Sequence, residues 1–123
     1  MFICRGIRGA TTATDNSKDS ILSATTELLM ELEDTNGIDP DFISAIWLTT
    51  SPDLTAEFPA VAARRMGWTQ VPLLCGHEMD VPDALPKCIR VLILFNTEKS
   101  SQEITHIYLR EAVNLRKRGT SDT

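Results

Sequence analysis

CIRVLILFNT, residues 88–97, is a near-continuous apolar run with one charge set into it, Arg90. A run of this length, bounded by polar residues and rich in β-branched and aliphatic side chains, predicts a strand that is central to the fold. Arg90 is out of character there. Removing a guanidinium from water without a partner costs several kcal/mol. Arg90 is therefore expected to face a carboxylate of its own chain, with Glu78 and Asp80 as the candidates, or the anionic part of a ligand.

Working outward from that strand, residues 76–86 hold one glycine, two prolines and three carboxylates, which predicts a loop with at most one helical turn. Val71–Cys75 before it reads as a brief strand. Ile43–Thr50 reads as another, with Ile46, Trp47 and Leu48 expected to be buried. Between them, Phe58-Pro59 opens a short alanine-rich helix, Ala60–Met66, that Gly67 ends. Ile21, Thr25, Leu28, Leu29 and Leu32 recur at helical spacing, and Lys18, Asp19, Glu27, Glu31 and Glu33 give that segment a wet face. Asp15 or Asn16 is expected to cap this helix, and Asn36-Gly37 to end it. Asp39-Pro40 suggests a capped short turn. A first strand begins at Phe2 and ends in a turn near Thr11, with Arg8 at its end. Ile104–Leu109 suggests a last strand, followed by a helical turn over Ala112–Leu115 and a polar tail from Arg116 expected to be mobile. Strands and helices mix without strict alternation, so the fold class expected is α+β with a mixed sheet.

The chain has 123 residues, 42% of them hydrophobic, enough for one domain with a modest core, and a formal net charge of -5. An acidic chain is a poor partner for nucleic acid or an anionic membrane, although a local group of arginines can still bind a small anion. No apolar run approaches membrane-spanning length; the longest is Val91–Phe95. The cysteines Cys4, Cys75 and Cys88 lack the spacing of a zinc site or a disulfide framework. A soluble protein of the reducing cytoplasm is expected. No phosphate-cradling loop, metal spacing or nucleophile elbow is present in the sequence, so neither metal nor cofactor is expected. A catalyst with this inventory must act by positioning and charge.

Residue by residue, bland roles stand beside chemical ones. Arg64 on the alanine helix reads as a solvated arginine, Arg8 as a turn residue and Arg5 as surface. Glu78 reads as a loop carboxylate, and Asp80 as a cap for the turn after it. Cys75 reads as a small core residue, and Tyr108 as a strand aromatic whose hydroxyl finds a partner. Phe58 reads as core or as a helix staple. His77 and His106 have no paired acid or serine motif and read as bystanders.

Taken in order, IRGATT, SPDL, FPAVAARRMGW, CGHEMDV, KCIRV and HIYL resemble the monofunctional chorismate mutases of the trimeric, pseudo-α/β-barrel class, over residues 3 to about 116. The resemblance implies one domain over 1–116 with a tail over 117–123, and a homotrimer with clefts at subunit contacts. The implied reaction is the Claisen rearrangement of chorismate to prephenate in phenylalanine and tyrosine biosynthesis. It further implies that Arg8 grips a substrate carboxylate, Arg90 faces the ether oxygen, Glu78 accepts from the ring hydroxyl and Cys75 is a helper thiol. Tyr108 would help to hold a carboxylate. Phe58 and Arg64 would come from a neighbouring subunit, and Leu115 and Arg116 would close the cleft. Val61 and Leu74 depart from the family pattern, where a lysine and a threonine are expected. A non-catalytic trimeric module that captures a dicarboxylate metabolite is the alternative.

Overall fold

The computed structural model describes residues 1–117. Among them, β1 (Ile3–Thr12), β2 (Ile43–Thr50), β3 (Leu73–His77), β4 (Cys88–Thr97) and β5 (Ile107–Tyr108) form one mixed sheet in the order β3-β2-β4-β1-β5. β4 lies at its centre, antiparallel to β1 and β2, whereas β3 is parallel to β2 and β5 is parallel to β1. The α+β mixed-sheet expectation holds. The span of β4 is the one read from its apolar run.

Helix α1 (Lys18–Asn36) and helix α2 (Ala60–Arg65) pack on one face of this sheet. Leu28, Leu29 and Leu32 of α1 and Ala60 and Ala63 of α2 close over Ile7, Ile46, Leu48, Val91, Ile93 and Phe95. Every α1 residue singled out by spacing, from Ile21 to Leu32, is buried. The cap of α1 is not Asp15 or Asn16 but Ser17, whose hydroxyl accepts from the Ser20 amide at 3.1 Å. Asn16 is engaged elsewhere: its carbonyl accepts from the amides of Thr55 at 2.9 Å and Ala56 at 3.0 Å, tying down the loop that leads to Phe58. Gly37 ends the helix in the left-handed conformation, at φ 63°, with its N–H on the Glu33 carbonyl.

Period-two alternation decides what lies on the other face of the sheet. In β4, Ile89, Val91, Ile93 and Phe95 are buried under the helices, while Arg90, Leu92, Leu94 and Asn96 are half-buried on the opposite side. β2 follows the same rule, and this corrects the reading of Trp47. Ile46 and Leu48 point into the core, so Trp47 between them faces outward and is 43% exposed. Leu74 of β3, paired with Trp47, is 62% exposed. The sheet therefore has one helix-covered face and one apolar face that this chain leaves open.

The strands differ from the sequence reading in three places. β1 ends at Thr12, as expected near Thr11, but because it is zipped to β4 from Ile3↔Thr97 to Thr12↔Cys88, Arg8 is mid-strand and exposed rather than at a turn. β3 starts at Leu73 instead of Val71 and extends to His77, since its pairing with β2 runs from Ile46↔Leu73 to Thr50↔His77. The last strand shrinks to Ile107–Tyr108, and the turn after it is a 3-10 helix, Arg110–Lys117. Buried Asn36 fixes the approach to β5: its side chain donates to the Thr105 carbonyl at 2.9 Å and accepts from the Thr105 amide at 2.8 Å.

Gly9 is required for close approach of helix to sheet. A Cβ there would stand 2.9 Å from a Leu32 methyl, 3.1 Å from a Leu28 methyl and 3.2 Å from a Val91 methyl. Three buried neighbours cannot all give way at once. Gly9→Ala is expected to destabilise the fold by about 1–3 kcal/mol through overpacking, read as a lower urea midpoint with an unchanged slope. An unshifted midpoint would show that α1 can ride outward without loss.

Candidate active site

Set into the open apolar face are three charged residues, Arg8, Glu78 and Arg90. On it Arg8 pairs in register with Leu92, Ala10 with Arg90, and Thr49 with Arg90 from the other side. Tyr108 pairs with Ala10, which brings its ring alongside Arg8 and Arg90. Glu78 follows β3 directly and is still held to β2, because its N–H donates to the Thr50 carbonyl at 2.8 Å. Arg8, Thr49, Glu78, Arg90 and Tyr108, with Trp47 and Leu92, line a cavity of about 360 Å³.

Arg90 and Glu78 meet on the wall of this cavity, Nη1 to Oε1, at 3.5 Å. That is longer than the 2.7–2.9 Å typical of a charge-assisted fork. Both side chains keep partial solvent access, 43% for Arg90 and 34% for Glu78. The acid that meets Arg90 is thus Glu78, and the pair is loose and open on one side instead of sealed in the core. The second Glu78 oxygen, Oε2, accepts a hydrogen bond from the Thr49 hydroxyl. Nothing in the sequence singles out Thr49. Strand parity puts it on the face of Trp47, but its register with Arg90, 41 positions away, is set only by the assembled sheet.

The remaining residues fall elsewhere. Phe58, 66% exposed, and Cys75 line a second cavity of about 290 Å³, together with Glu57, Pro59 and His77. Arg64 is exposed on α2 and lines neither cavity. Leu115 borders a cleft of about 250 Å³ that reaches Glu78 and Arg90 from the side of Met79 and Leu85. The side chain of Arg116 and residues 118–123 lie outside the described residues. Arg65 lines a groove against Thr26 and Glu27 of α1. One chain therefore gathers Arg8, Glu78, Arg90 and Tyr108, and presents Phe58 and Cys75 at a separate place.

The turn after β2 is tied to the start of β4. Ser51 donates its amide to the Cys88 carbonyl at 2.9 Å and accepts the Cys88 amide on its hydroxyl, also at 2.9 Å. Burial disfavours the charge on Asp53, yet hydrogen bonds from Ser51 and from the Lys87 amide outweigh it and hold its carboxyl below the usual range. Burial pushes the Cys88 thiol up to about 11, which leaves it protonated and inert at neutral pH.

Comparisons with known proteins bear on the family and the fold. The family model described as chorismate mutase type I matches residues 4–118. The chain is 47% identical over 113 residues to the chorismate mutase AroH of Thermus thermophilus, covering 91% of this chain and 93% of that one. It is 42% identical over 116 residues to the chorismate mutase AroH of Bacillus subtilis, covering 94% and 91%. Among solved structures, a chorismate mutase from Clostridium thermocellum superposes with a TM-score of 0.87 at 49% identity, over 88% of this chain and 96% of the other. With its fold and nearly its whole length in common with these proteins, the chain belongs to the type I chorismate mutase family.

Proposed function

We propose that this protein is a chorismate mutase that rearranges chorismate to prephenate on the open face of its sheet. The observation that carries the reading is the convergence of Arg8, Arg90, Tyr108 and Glu78 on one open cavity. The alternative of a non-catalytic module has no support among the relatives, which carry the names of enzymes.

The rearrangement is intramolecular. A carbon–oxygen bond breaks as a carbon–carbon bond forms, with no proton transfer and no covalent intermediate. What it needs is a compact conformer, and a field that stabilises negative charge on the ether oxygen and positive charge on the ring. Arg8 and Tyr108 supply grips for the substrate carboxylates. Arg90 faces the ether oxygen, and Glu78 accepts from the ring hydroxyl beside the developing positive charge. A rate gain of about 10⁶ corresponds to roughly 8 kcal/mol, of which one well-aimed neutral donor supplies about 3–4. Charge-assisted hydrogen bonds are roughly twice as strong as neutral ones, so Arg90 is assigned the largest share.

The open face supports an assembly. Trp47, Leu74 and Phe58 are large and exposed, which is unusual for a monomer and suits burial against further copies. The Phe58–Cys75 cavity and the Arg90 cavity are different patches of one chain. Joining one patch to the other makes a head-to-tail contact, the kind that closes into a ring and not into a two-fold dimer. Three copies in a ring give three sites. Each takes Arg8, Glu78, Arg90 and Tyr108 from one subunit, and Phe58 and Arg64 from the next; Cys75 borders Phe58 and serves as the helper thiol there. Leu115 and Arg116 close the cleft. Residues 1–116 act as one domain with a polar tail over 117–123. Among the described residues no helix is long and apolar enough to cross a membrane, and work in the cytoplasm fits the free cysteines Cys4, Cys75 and Cys88.

Purified protein mixed with chorismate is expected to abolish the diene ultraviolet band as prephenate appears. Tight binding without conversion would defeat the enzymatic reading.

A further inference from the structure

Resting on the site reading above, the hydrogen bonds around Glu78 draw attention to a neighbour that lines the same cavity. Glu78 is held from two directions by β2: its amide lies on the Thr50 carbonyl at 2.8 Å, and its Oε2 accepts from the Thr49 hydroxyl. Its other oxygen faces Arg90 at 3.5 Å. A carboxylate and a guanidinium placed side by side tend to close into a two-pronged fork at about 2.7–2.9 Å. If that fork closed here, the charge of Arg90 would be spent on its own chain and withdrawn from the ligand.

We propose that Thr49 is a positioning residue that restrains Glu78, holding the carboxylate to a single loose contact with Arg90 at 3.5 Å so that the rest of the guanidinium stays available to a developing oxyanion. The register supports this. Thr49 sits directly opposite Arg90 on the neighbouring strand and pairs on its other side with Gly76. It is thus fixed between the strand that carries the cation and the strand that delivers the acid. The hydroxyl engages one Glu78 oxygen and so fixes the direction of the other.

The test is a double-mutant cycle on the intact protein with Thr49→Val, Thr49→Ser, Glu78→Gln and the Val/Gln pair. Valine keeps the shape and removes the hydroxyl. Thr49→Val is expected to lower kcat by about tenfold or more with KM moved by less than about threefold, because the loss falls on transition-state charge. Thr49→Ser is expected to restore turnover to within about threefold of the unaltered protein. In the Glu78→Gln background, where no carboxylate is left to restrain, Thr49→Val should cost less than about twofold. Full turnover by Thr49→Val, or an equal loss with and without Glu78, would overturn the assignment, since a purely packing role is blind to the partner.

The unaltered protein run alongside separates this outcome from failure of the wider reading. If it does not convert chorismate, the reading falls, and the same four variants are then compared by calorimetric affinity for a stable bicyclic dicarboxylate ether of the transition-state shape. Coupled affinity changes at 49 and 78 would uphold the restraint. Additive changes, or no binding by any of the proteins, would sink it.

Discussion

Arg90→Lys is expected to lower kcat by about 10²–10³, some 3–4 kcal/mol of transition-state stabilisation, while the fold is retained. Charge is conserved in this substitution, so the loss measures geometry. The guanidinium is planar and can meet Glu78 with one edge and a ligand oxygen with another, whereas an ammonium is a strongly hydrated point charge on a flexible stem. With Glu78 3.5 Å from the native group, a lysine head in the same space turns toward the permanent anion and away from a charge that exists only in transit. The Arg90 side chain keeps 43% of its exposure, so the replacement should not empty the core. Unchanged far-ultraviolet circular dichroism together with steady-state kinetics makes the measurement. Retention of most turnover would remove Arg90 from its assigned place beside the ether oxygen.

Mixing two disabled proteins is expected to restore activity, and this is the second large effect. In the proposed trimer, Arg64→Ala and Arg90→Lys each damage every site when present alone. If a site draws Arg90 from one subunit and Arg64 from the next, random refolding of an equal mixture leaves about a quarter of the sites intact in a head-to-tail ring. Turnover should then rise to about that fraction of the unaltered protein, on the order of 10-fold or more above either parent. The control pairs Arg8→Ala with Arg90→Lys. Those two residues line the same cavity of one chain, so no mixed site escapes damage and nothing should be regained. Equal recovery in both mixtures, or none in either, would contradict a site shared in this way.

Much of the molecule was legible in the sequence where short-range physics rules. The spacing of Ile21, Thr25, Leu28, Leu29 and Leu32 placed a helix whose apolar stripe is buried as expected, and Gly37 closes it for the steric reason that marks it in the sequence. The apolar run at 88–97 marked the central strand. The oddity of Arg90 within it pointed to a partner acid or a ligand, and the fold supplies Glu78 beside an open cavity. Errors occurred where a residue's neighbours are distant. Trp47 looked like core because it lies between Ile46 and Leu48, but those two take the covered face and leave it the other. Arg8 looked like a turn residue because glycines flank it, although pairing with β4 on one side and β5 on the other carries β1 straight through.

By itself, then, the sequence determined the helices, the central strand, the α+β class and the family, since each depends on propensity, periodicity or an ordered set of motifs carried within the chain. Only the tertiary structure decided that Thr49, Glu78, Arg90, Arg8 and Tyr108 meet, and that Phe58 and Cys75 stand apart from them. The reason is register. Which residue of one strand faces which residue of another is fixed by the packing of the whole sheet against α1 and α2, and a shift of one position would send each of these side chains to the opposite face.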